Sequence, residues 1–514
     1  MVGSGTDEHD NRSIRISKSL SDSINDHDPT VTKRASGFIS CYSNMTNTII
    51  GAGILGLSYA YSESGFLVAS FFMVISLFLS VLGSHLLSKV AFKVGTPCTL
   101  NSALLPLGDM APILSDIYVT IYLLMVSLAY LIIIGDLMPD VGKHWGGGLP
   151  TSREVWILIG FAFAAPMSFP HNIDYLKYTS AIAVIFMCYI AVLAFVYALP
   201  GSKTGLDPCT DQNLDDDGPC NGGTFTYEDF NLLNSLRVLS IFVLGFGGQV
   251  TVMPICNELV DPSQYRLDGV WIASAMTSLC LYTIVAICGY LTYGASVKAD
   301  FLLNYPNSEI VTLGRVFVSL VVAFSYPLQA NPARRSFMSV MEQLYDRDRA
   351  DGSWKAPTRT IFLRYYGFTI LFLGITLMVA LLVDDLGVVM ELMGATGGVL
   401  ITFILPGGLY VYHFPYEACL KGSNTLRDSN ANTNSVDSTG DGFFTNFSSS
   451  KSLRNNEGSN PIIPLVSKDA KNHDYYDTNF ERKPLGTVFL RNVAWVHFIF
   501  GIILMPLLLI LVFI

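Results

Sequence analysis

Eleven apolar blocks, most of them about 20 residues long, recur along this chain, and that length crosses roughly 30 Å of hydrocarbon at 1.5 Å of rise per residue. Hydrocarbon offers no hydrogen bonds, so each block has to satisfy its own backbone, and a helix does that within one segment. The blocks lie near residues 38 to 61, 65 to 89, 112 to 138, 154 to 170, 177 to 199, 236 to 256, 268 to 293, 310 to 331, 361 to 383, 387 to 412 and 488 to 513. The fourth, WILIGFAFAAPMSFP, is short and carries Pro166, and losing it would invert every later loop. With 51% hydrophobic and 14% charged residues and a mean hydropathy of +0.44, the fold class is all-α and polytopic in the membrane.

Basic residues set the orientation, because cytoplasmic flanks collect Lys and Arg. With the N-terminus in the cytoplasm, 25 of the 31 Lys and Arg fall on the inner side, and the C-terminus lies outside or in a lumen. Residues 1–37 are polar and lack apolar periodicity, as a disordered cytoplasmic tail does. Residues 38–412 form the core and include an outward loop over 200–235. A second polar cytoplasmic segment covers 413–487, and the last span covers 488–514. In the outward loop Cys209 and Cys220 share a polar, potentially oxidising setting, which predicts a disulfide between them. The net charge of -10 sits mainly in the tails and that loop, and no nucleic-acid partner is expected.

Two spans are written differently from the rest. The first, SNMTNTIIGAGILGLSYA, is interrupted at Gly51, Ala52 and Gly53, and the sixth, RVLSIFVLGFGGQVTVMPICNEL, at Gly245, Phe246, Gly247, Gly248 and Gln249. Small residues at membrane depth also serve close helix packing, which is the alternative reading for a single glycine pair. Two mid-span interruptions five spans apart point instead to a substrate site between inverted repeats. There, freed N–H groups would meet a carboxylate, and freed carbonyls would meet a cation or an ammonium. Ionisable groups inside spans are functional candidates because burying them is costly. His85 and Asp136 lie near span ends, whereas Glu391, in VVMELMGATGG, is better placed for a proton-linked role. No HExxH, Ser/His constellation or paired membrane aspartates suggest an enzyme, and no Cys/His cluster suggests a metal cofactor.

The segments SNMTNTIIGAGILGLSYA, SFPHNIDYLKYTS, MPICNELVDPSQYR and ELMGATGGVLITFILPGGLY resemble the amino acid/auxin permease family, and within it the sodium-coupled neutral amino acid transporters and related vacuolar amino acid transporters. The resemblance runs over about residues 38 to 412. It implies a LeuT-like fold of five spans plus an inverted five, with one extra helix, and secondary active transport of an amino acid coupled to Na+ or H+. No acidic residue flanks either break, which favours neutral substrates. In sodium-coupled members an Asn of the first span and a Thr shortly before a Pro in the eighth help bind sodium. These positions fall on Asn47 and, in AFSYPLQANPARRSF, on Ser325, which keeps the hydroxyl. The sixth-span His that such members often carry is Gln249 here, which cannot titrate. The resemblance fits a plasma membrane or a vacuolar or lysosomal one. The alternative function is an amino acid sensor signalling through residues 1–37 or 421–486 to cytoplasmic partners the sequence does not name.

Overall fold

The computed structural model describes residues 36–51, 53–95, 98–108, 110–170, 177–199, 231–346, 358–415 and 484–513. Cys209, Cys220 and Ala52 lie outside the described residues, as do most of the two polar segments. The chain divides into two compact units, one of Met1–His413 with Ala494–Ile514 and one of Phe414–Val493. In the second unit, residues 484–493 are helical.

The first unit is a helix bundle. Its elements are α1 (Phe38–Ile50), α2 (Gly53–Ser64), α3 (Phe66–Val94), α4 (Met110–Trp145), α5 (Arg153–Met167), α6 (Lys177–Tyr197), α7 (Leu232–Gly245), α8 (Val252–Glu258), α9 (Gln264–Tyr293), α10 (Glu309–Met341), α11 (Thr358–Leu382), α12 (Leu386–Met393), α13 (Leu405–His413) and, from Ala494 on, α14 (Pro484–Val512). Polar residues in the loops start these helices by accepting from orphan N–H groups of the first turn. Asn231 caps α7, Ser263 caps α9, Ser308 caps α10 and Asp385 caps α12.

Among the described residues, nine helices are long and apolar enough to cross a membrane, counting α7 with α8 and α12 with α13 as single spans. The first expected span is instead two pieces of 13 and 12 residues, and the fourth is the 15-residue α5, with Pro166 in its last turn. Between α12 and α13 the chain is wound more loosely, as π-helix, over Gly394–Gly398 and Leu400–Ile404.

Two packing groups emerge. In one, α2 packs on α7, and α9 lies against α1, α2 and α3. In the other, α10 runs alongside α4 in the most extensive helix pairing of the molecule, and α4 also meets α5 and α11. α6 touches both groups, through α1 and α9 on one side and α10 on the other. Close approach has a sequence cause at Gly397, where a side chain would run into the ring of Tyr122.

Candidate functional site

Both helices break where the glycines fall. α1 stops at Ile50; Gly51 adopts φ 24° and ψ -143°, a conformation that side chains disfavour, and α2 starts at Gly53. α7 stops at Gly245, and the chain runs through Phe246, Gly247 and Gly248 into a single tight turn, Gln249–Thr251, before α8.

The two breaks touch. A side chain on Gly53 would stand 2.8 Å from the Cα of Gly245, so the backbones meet with nothing between them. Tyr282 of α9 lies across this junction, fully buried, its hydroxyl 2.6 Å from the carbonyl oxygen of Ile49, 2.7 Å from that of Gly245 and 3.3 Å from that of Ile50. One hydroxyl proton cannot satisfy three carbonyls, so acceptor capacity from both breaks remains at this point. On the opposite side, the second packing group presents Tyr130 of α4. Its hydroxyl lies 4.0 Å from where a Gly51 side chain would begin and accepts from Gln329 Nε2 of α10 at 3.4 Å.

The polar groups of the sixth-span break point elsewhere. Gln249 is buried, its Nε2 donates to Ser80 Oγ at 2.8 Å and to the Ser80 carbonyl at 3.1 Å, and its Oε1 accepts from Thr402 Oγ1 at 3.1 Å. Ser80 Oγ in turn donates to the Phe246 carbonyl at 2.6 Å. Phe246 is fully buried, with its ring edge-on to Tyr282 at 5.2 Å, and Gly248 leaves room for Met45 and Ile49 of α1.

Asn47, in the last turn of α1, donates from Nδ2 to Ser180 Oγ of α6 at 3.4 Å. Ser325 is half-buried in α10, and no hydrogen bond joins it to Asn47. Among the described residues, no group of three or more His, Cys, Asp or Glu side chains is placed to hold a metal ion.

The candidate ionisable groups all have partners. Glu391 of α12 is buried, with Oε1 3.3 Å from Arg237 Nε of α7. Arg237 also donates to the Tyr59 hydroxyl at 3.3 Å and sits 3.9 Å from Glu63, which accepts from Asn234 at 3.0 Å. This cluster joins α2, α7 and α12 beyond the breaks. Asp136 pairs with Arg153 at 3.0 Å, and Arg153 reaches Asp384 at 2.9 Å. His85 pairs with Asp268 at 2.8 Å. Sequence reasoning did not find Tyr282, Tyr130, Gln329, Ser180 or Arg237 as members of the site, because nothing local marks them; each is joined to it by a neighbour distant in sequence.

A model of the family described as transmembrane amino acid transporter protein matches residues 34–426. Vacuolar amino acid transporter 5 of Schizosaccharomyces pombe is 30% identical over 395 residues, covering 76% of this chain and 87% of that protein. Sodium-coupled neutral amino acid transporter 7 of Homo sapiens is 25% identical over 374 residues, covering 71% of this chain and 76% of that one. Among solved structures, that of MhsT in complex with L-phenylalanine superposes with a TM-score of 0.54 at 10% identity over 92% of this chain and 100% of that one, a likeness of fold.

Proposed function

Because the chain belongs to the transmembrane amino acid transporter protein family, whose members are transporters and not enzymes, we propose that it is a secondary active transporter of neutral amino acids. It works by alternating access about the junction of the two broken spans. The observation that carries this reading is the contact of Gly53 with Gly245 beneath the Tyr282 hydroxyl, which gathers the loose ends of two helices at one point.

In this reading the N–H groups that open α2, around Gly53, take the substrate carboxylate, aided by Gly51, Ala52 and the Tyr130 hydroxyl. The surplus acceptor capacity of the Ile49, Ile50 and Gly245 carbonyls takes the ammonium. Phe246, Gly247 and Gly248 shape the wall, and Gln249 holds that wall in place from behind. The Arg237–Glu391 pair, with Glu63 and Tyr59, closes over the site, and Glu391 is where a transported proton would break that pair. Asn47 and Ser325 are the ligands a sodium ion would use. The remaining elements follow the same scheme: eleven spans, counting α1 with α2 as the first and α5 as the fourth, with the first five repeated as an inverted five and α14 added. The N-terminus is cytoplasmic and the C-terminus extracellular or lumenal.

Purified protein in liposomes, given each of several radiolabelled neutral amino acids under separately imposed Na+ and pH gradients, tests the whole. Gradient-driven accumulation of at least one amino acid is expected, and which gradient drives it identifies the coupling ion. Equal label with and without any gradient would sink the reading.

A further inference from the structure

The eleventh apolar block, α14, packs Leu504 and Leu508 into a core shared with Leu239 and Val243 of α7, and it carries a histidine aimed at the tenth span. His497 is 2% exposed, and its Nε2 lies 2.9 Å from the carbonyl oxygen of Thr402. A carbonyl only accepts, so Nε2 carries a proton and donates it, while Nδ1 is buried without a hydrogen-bond partner. The ring is held against Phe403 with centroids 5.0 Å apart.

Thr402 lies in the π-wound stretch, and Pro406, four positions on, has no N–H, so the α-helical return bond to the Thr402 carbonyl cannot form. Glycines let the backbones close around this point. A side chain on Gly83 of α3 would lie 2.7 Å from the Thr402 oxygen, and one on Gly407 would lie 2.8 Å from backbone atoms of Ala494 and Phe498. Thr402 then passes the contact onward: its own hydroxyl donates to Gln249, Gln249 donates to Ser80, and Ser80 donates to the carbonyl of Phe246 inside the sixth-span break.

We propose that His497 is a positioning residue for the sixth-span break, fixing Thr402 so that the Gln249–Ser80–Phe246 chain holds the unwound backbone in its binding geometry. The extra helix thus belongs to the transport machinery as the outer anchor of that chain. This rests on the transporter reading for its purpose, but the contact itself is tested without transport.

The experiment is hydrogen–deuterium exchange on the purified full-length chain in lipid nanodiscs, comparing peptides across 244–252 with peptides from α4 and α10. His497→Leu removes the donor and should speed exchange across 244–252 by about tenfold, the effect of losing one buried hydrogen bond, while α4 and α10 stay as in the wild type. His497→Gln keeps an N–H at similar reach and should restore the wild-type rate, which a purely space-filling role would not achieve. Unchanged exchange at 244–252 in His497→Leu, or Gln behaving as Leu does, overturns the proposal. Where His497→Leu fails to fold, Thr402→Val cuts the same chain one link on and must give the same local acceleration. A wild-type rate in that variant overturns the proposal equally.

Discussion

The two broken spans look alike in sequence and differ in what surrounds them. At the first, α1 ends at Ile50 and α2 starts at Gly53, and the Tyr130 hydroxyl across the gap accepts a long hydrogen bond from Gln329. At the sixth, the unwound stretch is longer and its polar groups are engaged, Phe246 by Ser80 and Gln249 by Ser80 and Thr402. An interruption in a membrane helix thus has two uses. In the proposed transport cycle, one would serve mainly to offer backbone groups to a ligand, and the other mainly to secure the shape of the opening. The difference is set by residues far away in the chain.

The sharpest way to break this comparison is to separate the two breaks. Gly53→Ala puts a methyl group 2.8 Å from the Gly245 Cα, closer than carbon atoms tolerate, and neither backbone can yield as a side chain would. Uptake per molecule in liposomes should fall by more than tenfold, roughly the effect of 1–3 kcal/mol of overpacking placed at the junction of the breaks. Wild-type uptake in this variant would mean that the breaks need not meet.

Next in size are two substitutions expected to fail differently. Gln249→Leu strips partners from Thr402 and Ser80 and should lower stability by about 1–3 kcal/mol, seen as an earlier thermal unfolding midpoint in detergent. Tyr130→Phe should leave that midpoint in place and raise the KM for substrate. If both variants lose stability alike, the distinction between an open break and a secured one fails.

A smaller effect is expected at the ion ligands. Asn47→Ala or Ser325→Ala should raise the Na+ concentration for half-maximal uptake by about fivefold, near 1 kcal/mol, if sodium is the driving ion. An unchanged ion dependence returns Asn47 to its hydrogen bond with Ser180.

The most graded effect lies in the loop between α9 and α10, whose short helix Phe301–Asn304 packs on α2. Asp300 at its start is buried, with one oxygen capping Leu302 and the other unpartnered, and burial, helped by the nearby Asp136 charge, pushes its carboxyl up to about 7. The folded chain then binds a proton that the unfolded chain, near 3.8, has released, so stability falls as pH rises from about 4 through about 7. Thermal unfolding followed across that range should show the decline, and Asp300→Asn should flatten it.

Much of this architecture was legible in the sequence because bilayer physics writes it locally. Runs of apolar residues give spans, and glycine clusters at Gly51–Gly53 and Gly245–Gly248 mark where helices stop. What could not be read was the purpose of a polar residue beside a break. Gln249 next to Gly248 looks the same whether it faces a ligand or turns back toward Ser80, 169 positions away. Asn47 likewise gives no sign of Ser180, 133 positions on, and Glu391 gives none of Arg237. Pairings between helices are set by packing, and packing has no local signature in a chain where every span is apolar.

The contact of Gly53 with Gly245 has a mechanical side. Side chains between helices act as a cushion: they change rotamer and absorb a displacement on one side before it reaches the other. At this one point there is no cushion, so α2 cannot press toward α7 without displacing it, whereas a few residues along, Tyr61 of α2 and Phe242 of α7 meet ring against ring and can give.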